Sequence, residues 1–292
     1  MTSDSTTNLV LLRFSRPYKK VRIFRIRCRT SWFAYVLNTL KAVSLSFARF
    51  VAPNVECPPF KFKALISKPV GDLVLVSMNK YNSTLNWWIR VGTDDINLIT
   101  NTTEDYFFDM LHYKGGVFVD VGAHIGLFTI KAGAKCKDHI VSIEPDPKNF
   151  ELLTRNITLN KLTNVNAFWN AVYSTSGELI LHTSTAHSDG ASLSPRANQQ
   201  ISVKILSKKL DDFTQSEKSI EVLKIDVEGS EIEVLAGASC TLKKALKVLI
   251  EVEAANLLPV STILKSAGFE VQDLGLFYSE SVNYLLAVRR NV

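Results

Sequence analysis

The stretch Val117 to Thr129, VFVDVGAHIGLFT, constrains this chain more than any other. Val117, Phe118 and Val119 run unbroken into one carboxylate, Asp120, and Val121 follows it. An apolar run of this kind suits a strand buried on both faces, as in a parallel sheet. Gly122 and Gly126 then permit a tight turn and a close backbone approach where a side chain would collide. Leu127, Phe128, Ile130 and Ala134 are spaced so that a helix can lie back on the sheet. Strand, glycine turn and helix N-terminus together make a nucleotide site.

The glycine spacing narrows the ligand. Dinucleotide turns use G-x-G-x-x-G because a pyrophosphate must sit on bare backbone at the helix start. No G-x-G occurs anywhere in this chain, and the pattern here is D-x-G-x-x-x-G. S-adenosylmethionine carries an ammonium and a sulfonium but no phosphate, so a carboxylate beside the turn suits it better. A nicotinamide-dependent reductase of the short-chain type would also need a Y-x-x-x-K pair, and none is present.

Charge is unevenly spread. The net charge of +6 hides an N-terminal piece, Ser5 to Val55, with ten Lys or Arg and no acid, followed by a remainder that is slightly acidic. A nucleic-acid groove across the main domain therefore has no compositional support. Cys28, Cys57, Cys136 and Cys240 lie far apart without a C-x-x-C, which argues for free thiols in an intracellular setting rather than a zinc knuckle or a disulfide framework. No metal is expected.

Residues 1–59 form the basic segment. Within it, residues 31–51 read as an amphipathic helix with Phe33, Val36, Leu37, Leu40, Val43, Phe47 and Phe50 on one side. Spanning a bilayer would place Lys41 near its centre, at about 2.5–3.5 kcal/mol, which argues for peripheral contact with an anionic membrane surface or for packing on the main domain instead. An organelle transit segment is a further alternative. The localisation expected is cytoplasmic, with association to a membrane surface left as an open alternative. Pro53, Pro58 and Pro59 mark a break, and residues 60–292 form the main domain. Its preface, 60–112, alternates apolar and polar residues through LVLVSM, LNWWIRVG and INLIT, predicting short antiparallel strands and then a helix from Glu104 to His112.

From 113 onward strands and helices alternate, the pattern of a parallel α/β sheet. Strands are predicted at Val117–Val121, His139–Ile143, Val165–Val172, Val222–Ile225, Val248–Val252, Phe269–Asp273 and Tyr284–Val288. A polar loop, HTSTAHSDGASLSPRANQQ, interrupts the rhythm; His187 in it reads as a solvent-facing residue of a lid-like segment.

Candidate chemistry gathers at the predicted strand ends. Glu144, 24 positions after Asp120, stands where a carboxylate accepts hydrogen bonds from both ribose hydroxyls. Asn170 and Ala171 end the third strand, where an amide and a small side chain can flank an adenine. Lys224-Ile-Asp226-Val-Glu228-Gly229 ends the fourth strand beside the first, at a switch point of the sheet. Asp226 faces the reacting end in this reading, and Glu228 sits where a substrate hydroxyl arrives. Glu251, with Glu253, is a reserve base for its proton.

Taken together, VFVDVGAHIGLFT, EPDPKNFELLTRNITLN, NAV, LDDF, LKIDVEGSEIEVLAG and LIEVE resemble, in order, the successive blocks of the FkbM-type S-adenosylmethionine-dependent methyltransferases. The resemblance covers about half the chain, Tyr106 to Val252. It implies a Rossmann-like, seven-stranded class I methyltransferase sheet, mostly parallel with the last strand antiparallel. It also implies O-methylation of a sugar, glycolipid or similar small acceptor. By position it assigns Asp120, Gly122 and Gly126 to the methionyl turn, with Ala123 and His124 between them, Glu144 to the ribose and Asp226 to the cofactor's reactive end. His124 departs from the family, which more often has Asn there. The competing reading is a catalytically inactive cofactor-binding scaffold on a membrane surface.

Overall fold

The computed structural model describes residues 9–11, 23–25, 64–66, 70, 72–91, 93, 95–100, 102–183, 191–193, 195, 201–276 and 282–290. The predicted helix at 31–51, most of the basic segment and His187 lie outside the described residues. Near the N-terminus β1 (Leu9–Leu11) pairs antiparallel with β2 (Ile23–Arg25).

The preface is an antiparallel sheet of β3 (Ala64–Ile66), β4 (Leu73–Lys80) and β5 (Ser83–Arg90). Alternate residues of β4 and β5 point inward, so that Val76, Met78, Leu85 and Trp87 are buried. Two helices follow, α1 (Asp95–Thr100) and α2 (Thr102–Met110). The alternation in INLIT predicts a strand, and the structure differs. Asp95 is fully buried and receives the Arg90 backbone N–H at 2.8 Å, which turns the chain into a helix there.

The main sheet comprises β6 (Phe118–Val121), β7 (Ile140–Glu144), β8 (Val165–Trp169), β12 (Ile220–Ile225), β13 (Ala245–Glu253), β14 (Phe269–Leu276) and β15 (Val282–Arg289). Its order is β14-β15-β13-β12-β6-β7-β8, and β15 runs antiparallel to both neighbours. Order reverses between β6 and β12, as a switch point requires. The helices α3 (Leu127–Lys135), α4 (Pro147–Leu159), α6 (Glu231–Ala236), α7 (Ser239–Lys244) and α8 (Leu257–Ser266) cover its faces, and α5 (Leu210–Phe213) precedes β12.

The predicted third strand divides. β8 stays in the main sheet, whereas β9 (Ala171–Val172) joins a small sheet with the hairpin β10 (Gly177–Thr183) and β11 (Ile201–Lys208). Asn170 sits at the break and donates its side-chain amide to the Leu206 carbonyl at 3.1 Å.

The preface shares a core with the main sheet: Trp87, Phe107 and Phe108 belong to one buried cluster with Phe118, Phe128 and Tyr284. Polar ties fix it further. Asn156 of α4 accepts the Trp88 N–H at 2.6 Å and donates to the Trp88 carbonyl, and Asn160 makes the same pair with Asn86. These two side chains satisfy the outer edge of β5, which has no further strand beside it among the described residues.

Candidate active site

A cavity of about 320 Å³ opens at the C-terminal ends of the parallel strands. That is the place where ligands bind in sheets of this kind, and the volume suits a nucleoside-sized ligand.

The glycine turn forms one wall. Gly122 has φ +73, and a Cβ there would stand 1.7 Å from the Asp226 carbonyl oxygen, so the turn needs glycine for both conformation and space. The amides of Gly122 and Ala123 donate to the Ile143 carbonyl, locking the turn onto β7. Gly126, at φ +94, precedes α3, and a Cβ there would press on Leu153 of α4.

Asp120 is fully buried beneath the turn and is not among the residues lining the cavity. One of its oxygens accepts from the Thr129 N–H at 3.1 Å and the Thr129 hydroxyl at 2.7 Å; the other lies 3.5 Å from Lys224 Nζ. It anchors the start of α3 and neutralises Lys224. Ala123 and Gly126 likewise shape the turn from behind. Gly122, His124, Glu144, Asn170, Ala171, Asp226, Glu228 and Glu251 all line the cavity.

Glu144 ends β7, almost wholly buried. One oxygen accepts the His124 N–H at 2.8 Å, and the other accepts the Asp146 N–H at 3.0 Å and the Asn149 amide at 3.4 Å. Burial pushes its carboxyl up to about 7, against the backbone N–H bonds that favour the ionised form.

Beside the glycine turn, at the ends of β12 and β13, Asp226, Glu228 and Glu251 bring one carboxylate oxygen each within 4.8 Å of one another. Three acids by themselves do not make a cation site. Asp226 is paired with Lys224 at 3.3 Å, and Lys224 also donates to the Gly122 carbonyl at 2.8 Å. Burial would pull the Lys224 ammonium down, but Asp226 and Asp120 outweigh it and hold it raised. Glu228 adopts a left-handed backbone, φ +53, ahead of Gly229 at φ +101, which turns the chain sharply at the cavity rim. Burial first, then the neighbouring Asp226 and Glu228, push the Glu251 carboxyl well above its ordinary range.

Two residues that the sequence did not point to complete this wall. Tyr284 of β15 lies directly across from Glu251 of β13 and donates its hydroxyl to it. Glu104 of α2 accepts from the same hydroxyl at 3.3 Å, and the Tyr284 ring stacks on Phe107 with centroids 4.1 Å apart. Glu104 carries no local motif, and the only sequence signal for Tyr284 is a polar end on an aromatic residue in an otherwise apolar strand.

This sheet order, with an antiparallel β15 and a nucleoside-sized cavity at the switch point, defines a Rossmann-like class I methyltransferase. The chain belongs to the FkbM family: the family described as "Methyltransferase FkbM domain" matches residues 120–271. It is 26% identical over 204 residues to "Methyltransferase sdnD" of Sordaria araneosa, covering 57% of this chain and 79% of that protein. It is 28% identical over 140 residues to "Hexuronic acid methyltransferase AglP" of Haloferax volcanii, covering 47% and 56% respectively. Among solved structures it is similar to a precorrin-6y C5,15-methyltransferase from Geobacter metallireducens, with a TM-score of 0.42 and 12% identity over 63% of this chain and 87% of that one.

The cofactor of this family is S-adenosylmethionine. The residues present fit it. A buried carboxylate faces the cavity at the end of β7, bare backbone approaches at Gly122, and no Lys or Arg is among the described residues lining the cavity, as a cationic sulfonium requires. Among the described residues no helix is long and apolar enough to cross a membrane.

Proposed function

We propose that the protein transfers a methyl group to a hydroxyl oxygen of a sugar, glycolipid or similar small acceptor. The observation that carries this reading is Glu251, a part-buried carboxylate lining the cavity, which its surroundings and the neighbouring Asp226 and Glu228 hold above its ordinary range. Such a group accepts a hydroxyl proton near neutral pH better than an ordinary surface acid does.

S-adenosylmethionine, when bound, supplies an electrophilic methyl group on a sulfonium. Glu144 holds the ribose in this reading, and Gly122 leaves room for the ligand against the turn. Asp226, fixed by Lys224, faces the reacting end. Glu228 orients the acceptor at the rim. Glu251, whose carboxylate is held by Tyr284, would take the acceptor hydroxyl's proton, while the oxygen gains the methyl group as its bond to sulfur breaks and a neutral thioether leaves. Alignment contributes most of the acceleration, and a base of this kind adds about a hundredfold or more.

The relative named for a hexuronic acid supports a sugar acceptor. Residues 60–292 act in this reading as one methyltransferase unit in the cytoplasm, and the ten cations of Ser5 to Val55 support a peripheral membrane contact near a lipid-linked acceptor. The test is transfer of label from methyl-labelled S-adenosylmethionine to a panel of hydroxylated glycans, free and lipid-linked, with the bond formed identified by mass spectrometry. An O-methylated glycan is the expected product. Label on nitrogen or carbon would overturn the oxygen assignment, and tight binding without transfer to any acceptor would favour the inactive scaffold.

A further inference from the structure

Arg90 and Asp95 precede the family-matched segment, yet they reach the cavity through a closed ring of contacts. Arg90 forks onto the fully buried Asp95, with Nε to Oδ2 and Nη2 to Oδ1 both at 2.8 Å. The same Nη2 donates to Asn149 Oδ1 at 2.7 Å. Guanidinium groups only donate, so this contact fixes which end of the Asn149 amide faces Arg90. Its Nδ2 is thereby turned to Glu144 Oε1, at 3.4 Å. The second Glu144 oxygen is held by the His124 N–H, and the His124 ring returns to Asp95, Nε2 to Oδ1, at 3.9 Å. Asp95 thus stands behind two of the three residues that grip the Glu144 carboxylate, the third being Asp146, whose N–H donates to Oε1 at 3.0 Å.

We propose that Arg90, Asp95 and Asn149 are positioning residues for the cofactor's ribose, holding the Glu144 carboxylate at the angle at which it receives the two hydroxyls, with His124 closing the ring. The inference rests on reading the cavity as the cofactor site. It accounts for histidine at position 124, because the imidazole extends to Asp95 of α1. It also makes the preface a working part of the cofactor site.

A ring of this kind could serve only to fasten the preface to α4. The two roles separate in ligand discrimination. Calorimetric titration of the full chain with S-adenosylhomocysteine and with its 2′,3′-dideoxy analogue reads the contribution of the hydroxyls alone. The wild-type protein should prefer the natural ligand by about tenfold or more, as expected for hydrogen bonds to a buried carboxyl group. Asn149→Ala and Arg90→Gln should each shrink that preference to within about threefold, with affinity for the dideoxy analogue little changed. Two variants are used because a single substitution can lower the folded fraction, which a thermal melt on the same samples monitors. Equal loss of affinity for both ligands, or discrimination kept at the wild-type level, would overturn the proposal. A wild-type protein that binds neither ligand would remove the cofactor reading itself and this inference with it.

Discussion

At the scale of single residues, carboxylates line the candidate site, and their pH behaviour is open to test. Glu144 titrates near 7 in the folded chain and at its ordinary 4.5 when unfolded. The folded state therefore holds the proton more tightly. Its stability should be greatest below the unfolded value and should fall as pH rises through that window, by on the order of 3 kcal/mol. In Glu144→Gln this part of the pH dependence should vanish from apo-protein melting curves; curves of identical slope would show that Glu144 stays ionised. Glu251 gives a kinetic counterpart. Transfer should rise with pH as Glu251 ionises, and Tyr284→Phe, which removes a hydrogen bond favouring the anion, should move that rise to higher pH and slow the rate about tenfold or more. An unshifted profile would take Tyr284 out of the mechanism. The sequence made the acids visible because each lies within three residues of a strand's C-terminal end, but it could not say which way Asp120 points. In a strand buried on both faces no alternation marks the cavity side, and the structure turns Asp120 to Thr129 and Lys224.

At the scale of elements, the strand–turn–helix unit was legible because its signals are local: apolar run, glycine spacing, helical periodicity. The same locality makes it brittle. Gly122→Ala would set a methyl group against the Asp226 carbonyl at a positive φ, and the β6 and β12 ends would have to part. We expect a loss of at least about 3 kcal/mol, seen as a large drop in melting temperature together with loss of cofactor binding. A variant that melts like the wild type would show that the close approach is not required. Elements whose form depends on distant partners were less legible. INLIT has the alternation of a strand and became α1 because Asp95 is held by Arg90. Val165 to Val172 reads as one strand and became two because β9 pairs with β11, Ala171 with Ser207 and Val172 with Lys208.

At the scale of the whole molecule, the family-matched segment does not contain all of the candidate site's acidic wall. Glu104 comes before it and Tyr284 after it, and pairs between distant segments leave no periodic trace in a single sequence. The preface also supplies Trp87, Phe107 and Phe108 to a core shared with the sheet. A fragment of residues 113–292 should therefore be poorly soluble and lack a cooperative melt, because it would expose the partners of those side chains. A fragment that melts cooperatively and binds S-adenosylmethionine like the full chain would show the preface to be dispensable.

The place of β15 in the sheet has a consequence for biosynthesis. β14 reaches the main sheet only by pairing with β15, which follows it in the chain, and β15 brings Tyr284 to Glu251. As the chain leaves the ribosome, the glycine turn, Glu144 and Asp226 emerge well before the last strand. Until that strand inserts, β13 has an open edge and β14 has no partner in the main sheet. The glycine turn, Glu144 and Asp226 can thus take their places during synthesis before β15 brings Tyr284 to Glu251.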